Sequence, residues 1–128
     1  MEYRIVEGSE NMRTEDVVRL LKMTYWADRR PAETTEKALR NSACYGICVE
    51  GRLVGFARVI SDFATVFYLC DVIIDPEYRR RGLGTALVSH IVSQPVYAGL
   101  RGVLITRDAY NLYRKFGFEV VDGRFMSR

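Results

Sequence analysis

Three groups of residues in this chain have types and spacings suited to chemistry. The first is Arg79-Arg80-Arg81-Gly82-Leu83-Gly84-Thr85. An apolar run from Val66 to Ile74 stops at Asp75-Pro76, a basic stretch follows, and two glycines open the apolar repeat Leu83, Leu87, Ile91. That order describes a strand, a loop and a helix start, which together form an anion cradle. The first turn of a helix leaves amide N–H groups unpaired and adds the positive end of the dipole. Glycine lets a phosphate approach the backbone closely, and arginine adds charge-assisted hydrogen bonds. The nucleoside-triphosphatase pattern GxxxxGK[ST] is absent, and Leu87 stands where a dinucleotide fingerprint needs its third glycine.

The second group is a pair of carboxylates. Asp71 interrupts the apolar run, where a charge is expensive without a partner. Either a raised pKa or a specific pairing, for example with Arg58, must follow. Asp62 sits at the end of the preceding strand. The third group is Tyr25-Trp26-Ala27-Asp28-Arg29-Arg30, which joins aromatic surface to two arginines and holds the only tryptophan. The one histidine, His90, falls off the apolar face of its helix and is not a natural base.

The elements that must position these groups follow from periodicity. Tyr3 to Val6 reads as a short strand. Thr14 can cap a helix with Glu15 and Asp16 in its first turn. Val17, Leu21 and Tyr25 then mark one face, and Pro31 ends it. A short helix starts at Thr34 or Thr35 with Ala38 and Leu39 inward. Cys44 to Val49, Leu53 to Ile60 and Val66 to Ile74 are strands, the first two joined by a Glu50-Gly51 turn. A helix opens at Gly82 and ends by Pro95. Val103 to Thr106 is a strand. Asp108 caps a helix ending at Phe116, with Gly117 as its left-handed residue. Phe118 to Val121 is a strand, and the tail pairs again near Arg124 to Met126. The order β-α-α-β-β-β-α-β-α-β gives an α+β mixed sheet with helices on its faces.

The hexad Arg79-x-x-Gly82-x-Gly84 resembles the signature of the GNAT superfamily of acyl-CoA-dependent N-acetyltransferases, Gln/Arg-x-x-Gly-x-Gly/Ala. Tyr68 to Tyr78 resembles the family's strand and turn before the motif. Ala109-Tyr110-Asn111-Leu112-Tyr113-Arg114-Lys115-Phe116-Gly117-Phe118 resembles its closing helix and strand. The resemblance implies a single N-acetyltransferase domain over residues 1–128. It implies that the backbone of Arg79, Arg80, Arg81, Gly82, Leu83, Gly84 and Thr85 holds the coenzyme A pyrophosphate, and that Val72, Ile73 and Ile74 pair with the pantetheine arm. It implies Tyr113 as general acid toward the departing thiolate and Asn111 as a coenzyme contact. It also places the acceptor site at Tyr25, Trp26 and Arg29, with Asp62 beside it.

The expected reaction is transfer from acetyl-CoA to a primary amine by direct attack through a tetrahedral intermediate. Only about 1 in 10³ of a lysine-like amine is neutral at pH 7. Asp71, or a water it orders, is the expected base. A small-molecule acceptor is favoured by the absence of a recognition domain. A protein or peptide amine and a non-catalytic acyl-CoA sensor are the alternatives. Arg29 and Arg30 argue for an anionic acceptor, whereas Asp28, Asp62 and Asp71 argue for a cationic one.

Composition limits the other classes. The chain has 128 residues, 48% hydrophobic and 27% charged, and a net charge of 19 − 16 = +3. Disorder is excluded for the chain as a whole, and no strong nucleic-acid footprint is present. Three cysteines, Cys44, Cys48 and Cys70, give no paired framework. No metal site is expected. No apolar run approaches the roughly 20 residues of a membrane span, and no secretory signal is visible, so a cytoplasmic setting is expected. Homodimers are an expectation by analogy alone.

Overall fold

The computed structural model describes residues 1–128. Five strands form one mixed sheet in the order β1-β2-β3-β4-β5. They are β1 (Arg4–Glu7), β2 (Ala43–Val49), β3 (Arg52–Ser61), β4 (Val66–Ile74) and β5 (Arg101–Val103). The first four are antiparallel, and β5 runs parallel to β4. Glu50 and Gly51 both have positive φ, as a two-residue hairpin turn requires.

The helices are α1 (Thr14–Leu21), α2 (Ala32–Arg40), α3 (Leu83–Val92) and α4 (Tyr110–Arg114). The sheet is buried on both faces, which explains the apolar run of β4. Val17, Leu20 and Leu21 of α1 and Leu39 of α2 pack with Phe56 and Ile73 in one cluster. Leu83, Leu87, Val88 and Ile91 of α3 pack with Ile47, Val59, Leu69 and Tyr113 in the other.

Several expectations need correction: the strand expected at Val103 to Thr106 is Arg101–Val103, and the second helix starts at Ala32. Thr14 is the first residue of α1, not its cap: Arg13 holds the cap position, and no side chain bonds there. The helix ends at Leu21, because Thr24 Oγ1 donates to Leu21 O and accepts from Ala27 N, turning the chain. Tyr25 therefore lies beyond the helix. At α4, Thr106 Oγ1 and not Asp108 accepts the Ala109 amide.

Phe118 to Val121 and Arg124 to Met126 are not strands. The chain leaves α4 through a Schellman closure, with Phe118 N donating to Tyr113 O at 3.3 Å, Gly117 N donating to Arg114 O at 3.1 Å, and Gly117 at φ +88°. Phe118 then packs edge-on against Phe67 and Tyr113. Gly102 of β5 makes room for this packing, since an added Cβ would sit 2.6 Å from Phe67 and 3.1 Å from Phe118. The segment's apolar alternation is used to seat one ring, and no β-ladder follows.

Candidate active site

The anion cradle comes directly from the local sequence. Asp75 caps the turn Pro76–Tyr78 by accepting from Glu77 N at 3.0 Å, and Arg19 holds the same carboxylate at 3.5 Å. Arg79 Nε donates to Ile74 O at 3.2 Å, folding the loop back onto the end of β4. Arg80 and Gly82 then take left-handed φ values of +65° and +78°. The amides of Arg80 through Thr85 have no acceptor in the protein, and the first helical bond of α3 runs from Ala86 N to Gly82 O. Consecutive free amides joined by left-handed residues are the arrangement of an anion-binding nest. Nothing lies within 4 Å of a Cβ placed on Gly82, so the space over the nest is open.

A second feature adjoins it. β4 pairs with β5 only from Val66 to Tyr68. From Leu69 to Ile74 the β5-facing edge of β4 has no strand partner, so the sheet splays. Opposite Ala57, β4 carries two residues, Asp71 and Val72, because Phe56 pairs with Ile73 and Arg58 with Cys70. Asp71 sits in this bulge at φ +54°. Aspartate tolerates the left-handed region better than most residues, and bulges re-aim side chains beside sites.

The bulge directs Asp71 into a buried ion cluster. Its oxygens accept from Arg30 at 2.7 and 3.3 Å, from Arg58 Nε at 2.8 Å and from Trp26 Nε1 at 3.0 Å. Burial pushes the carboxyl up, but the hydrogen bonds and charges of Arg30 and Arg58 outweigh it and hold it below the usual range. A carboxylate so held is a poor proton acceptor. The pairing that its place in an apolar strand implied is present, with Arg30 and Arg58 as the partners.

Tyr113 lies on α4 with 8% of its surface exposed. Its hydroxyl has no partner in the protein, and no fully buried side-chain polar atom lacks one, so this hydroxyl reaches open space. Burial pushes its pKa up to about 12. Cys70 faces the same space, with a thiol pushed by burial up to about 11, which leaves it a weak nucleophile at neutral pH.

One cleft of about 1150 Å³ joins these parts. Its walls include Val72, Ile73 and Ile74, the cradle residues Arg79, Arg80, Gly82, Leu83, Gly84 and Thr85, and also Tyr113, Asp71, Tyr25 and Trp26. Four expected residues stand elsewhere. Arg81 turns outward over the Tyr78 ring. Asn111 and Arg29 are exposed and outside the cleft. Asp62 is exposed in the β3–β4 turn, where its carboxylate accepts from the amides of Ala64, Thr65 and Val66 and from the Thr65 hydroxyl. Those bonds, Thr65's first, hold it well below the usual carboxylate range. It serves the turn. Arg30, Arg58 and Arg107 also line the cleft, and of these sequence reasoning missed Arg107. Arg30 belongs to the Tyr25–Arg30 group and Arg58 is the partner expected for Asp71, whereas Arg107 carries no local signal.

A run of unpaired amides at a helix start lies beside a splayed junction between antiparallel and parallel strands. The profile of the Acetyltransferase (GNAT) family matches residues 14–118, and the chain belongs to that family. A Xanthomonas campestris protein assigned to the GNAT family superposes with a TM-score of 0.93 at 36% identity, covering 100% of this chain and 93% of that one. An aminoglycoside N-acetyltransferase solved in complex with CoA shares the fold at 18% identity, with a TM-score of 0.77 over 99% of this chain and 94% of that one. In sequence, the chain is 36% identical over 72 residues to GCN5-related N-acetyltransferase 2 of Arabidopsis thaliana, covering 55% of this chain and 28% of that protein. It is 26% identical over 120 residues to an uncharacterized N-acetyltransferase of Pyropia yezoensis, covering 88% and 68%. The chain thus spans between about a quarter and two thirds of these curated relatives.

Proposed function

We propose that this acetyltransferase-family chain transfers an acetyl group from acetyl-CoA to a primary amine of a small molecule, by direct attack and with Tyr113 as general acid. The observation that carries this reading is the run of unpaired amides from Arg80 to Thr85 opening into the same cleft as the Tyr113 hydroxyl. The residues present fit the coenzyme. The nest and the guanidiniums of Arg79 and Arg80 suit a pyrophosphate. The unpartnered edge of Val72, Ile73 and Ile74 suits an amide-bearing arm. Bound acetyl-CoA supplies the acetyl group as an activated thioester.

The other steps belong to the protein. Tyr113 keeps its proton across the working pH range because burial raises its pKa to about 12. Donation to a thiolate of ordinary pKa near 8.5 is then uphill by roughly 3.5 units, about 5 kcal/mol. Tyr113 donates as the C–S bond breaks, and the tyrosinate so formed regains a proton from the water that receives the amine proton. Asp71 holds Arg30, Arg58 and Trp26 in place. The amine proton leaves to water in the open cleft.

The test combines binding and turnover. Acetyl-CoA at about 100 times its Kd should stabilise the fold by roughly 2.7 kcal/mol, whereas ATP should not. Amine panels should then show acetyl-CoA-dependent acetylation. Absence of a thermal shift at millimolar coenzyme sinks the cradle assignment; a shift without acetylation of any amine leaves a coenzyme-binding protein.

A further inference from the structure

The end of the cleft beyond the coenzyme residues carries an excess of fixed positive charge. Arg30 and Arg58 are held against one carboxylate, Asp71, with side-chain exposures of 21%, 13% and 3%. Arg30 commits two donors to Asp71. Arg58 commits one donor to Asp71 and one to Ser42 Oγ. Each guanidinium has five N–H donors, so three on each remain. Both arginines line the cleft, and no second buried carboxylate accompanies them.

Across the cleft mouth stands Arg107. Its guanidinium lies 3.7 Å from the centre of the Tyr25 ring, and Tyr25 packs edge-on against Trp26 at 5.0 Å. The stack fixes an exposed arginine over the opening and ties the loop before α4 to the segment after α1. Asp108, the other carboxylate of this region, is exposed and 3.9 Å from Arg107. Three cations therefore face two anions here. Charge left over in a partly buried floor is costly unless an anion meets it.

The geometry points to an acceptor amine that carries an anionic group, carboxylate or phosphate, held between Arg107 and the Arg30–Arg58 pair. This inference rests on the proposed amine acetylation and narrows its substrate class. Purely cationic acceptors such as polyamines are disfavoured, because they would place like charges against two guanidiniums. Arginine's planar fork matches either anion in a bidentate manner.

The experiment uses acceptors matched in amine but not in charge: an α-amino acid against its amide, and glucosamine 6-phosphate against glucosamine, with spermidine as the cationic arm. The kcat/KM ratio within each pair is measured for the parent, Arg107→Ala and Arg107→Lys. Arg107 is exposed, so its loss leaves the core intact. Melting temperatures of the CoA-saturated proteins with the same compounds give a second readout. The expected result is at least a 10-fold preference for the charged member of one pair. That preference should fall about 10-fold in Arg107→Ala and return in part in Arg107→Lys. The pair that responds identifies the anion as carboxylate or phosphate. Turnover that favours spermidine or ignores the acceptor's charge overturns the inference and leaves amine acetylation standing. Anion-dependent stabilisation without turnover of any amine overturns the acetylation reading while keeping the anion site. Neither turnover nor anion-dependent stabilisation overturns both.

Discussion

Tyr113 and Asp71 divide the work of the site by their environments. The tyrosine is buried but unpartnered, so burial first, and the nearby charge of Asp108 second, raise its proton affinity. Tyr113→Phe keeps the ring that packs on Phe118 and removes only the donor. We expect kcat to fall about 10-fold or more with coenzyme affinity nearly intact. Unchanged turnover in single-turnover assays would remove Tyr113 from the mechanism. Asp71 is buried and fully engaged. Asp71→Asn leaves two guanidiniums facing a neutral amide, and removing one partner of a buried pair costs about 3 kcal/mol or more. That is a fall of about 10 °C in Tm for a chain of this size. A variant as stable as the parent would show that the cluster is dispensable. On the proposed loss of the amine proton to water, the rate with a lysine-like amine should rise about tenfold per unit from pH 7 to 9, following the neutral amine. An inflection between pH 5 and 7 in kcat/KM would instead reveal a carboxylate of raised pKa.

At the scale of elements, the start of α3 and the bulge of β4 do the positioning. Gly82 caps α3 at φ +78°, a region that costs other residues roughly 1–2 kcal/mol, while Gly84 is helical and a Cβ there would meet Ile74 at an ordinary 3.7 Å. The two glycines of one motif thus differ. Gly82→Ala should weaken coenzyme binding measured by calorimetry, because relieving the strain turns the nest amides away. Gly84→Ala should bind nearly as the parent does. Equal losses in both would mean that the motif acts by crowding and not by backbone shape. The two glycines were visible as a pair in the sequence, but their different roles were not, since φ is decided by how the loop from Asp75 returns to β4.

Across the whole molecule, the two hydrophobic clusters sandwich the sheet, and the Asp71 cluster ties β3, β4 and the α1–α2 connection together. That tie makes stability depend on pH in a defined direction. A carboxyl with lowered folded-state pKa contributes stability that is present above its unfolded value near 3.9. The contribution is lost as pH falls through the folded value. Melting curves from pH 5 downward should show the parent losing stability more steeply than Asp71→Asn. Parallel curves would show that the pair contributes nothing to folding.

Local sequence determined most of the elements and the cradle. Val66 to Ile74 was bounded by its own apolar run and by Asp75-Pro76, and the Gly82 start of α3 and the Gly117 closure of α4 depend only on neighbouring residues. Tertiary structure decided what needed residues distant in sequence. Arg58 meets Asp71 13 positions away and Arg30 meets it 41 away, which gives the candidate base two ion-pair partners. Arg107 reached the cleft by stacking on Tyr25. Phe118 to Val121 has strand composition but no ladder, because a strand is defined by its hydrogen-bonded neighbour and Phe118 is instead seated against Phe67 and Tyr113. Backbone periodicity is written locally, whereas proton affinity and charge balance depend on which side chains the fold brings within a few ångströms.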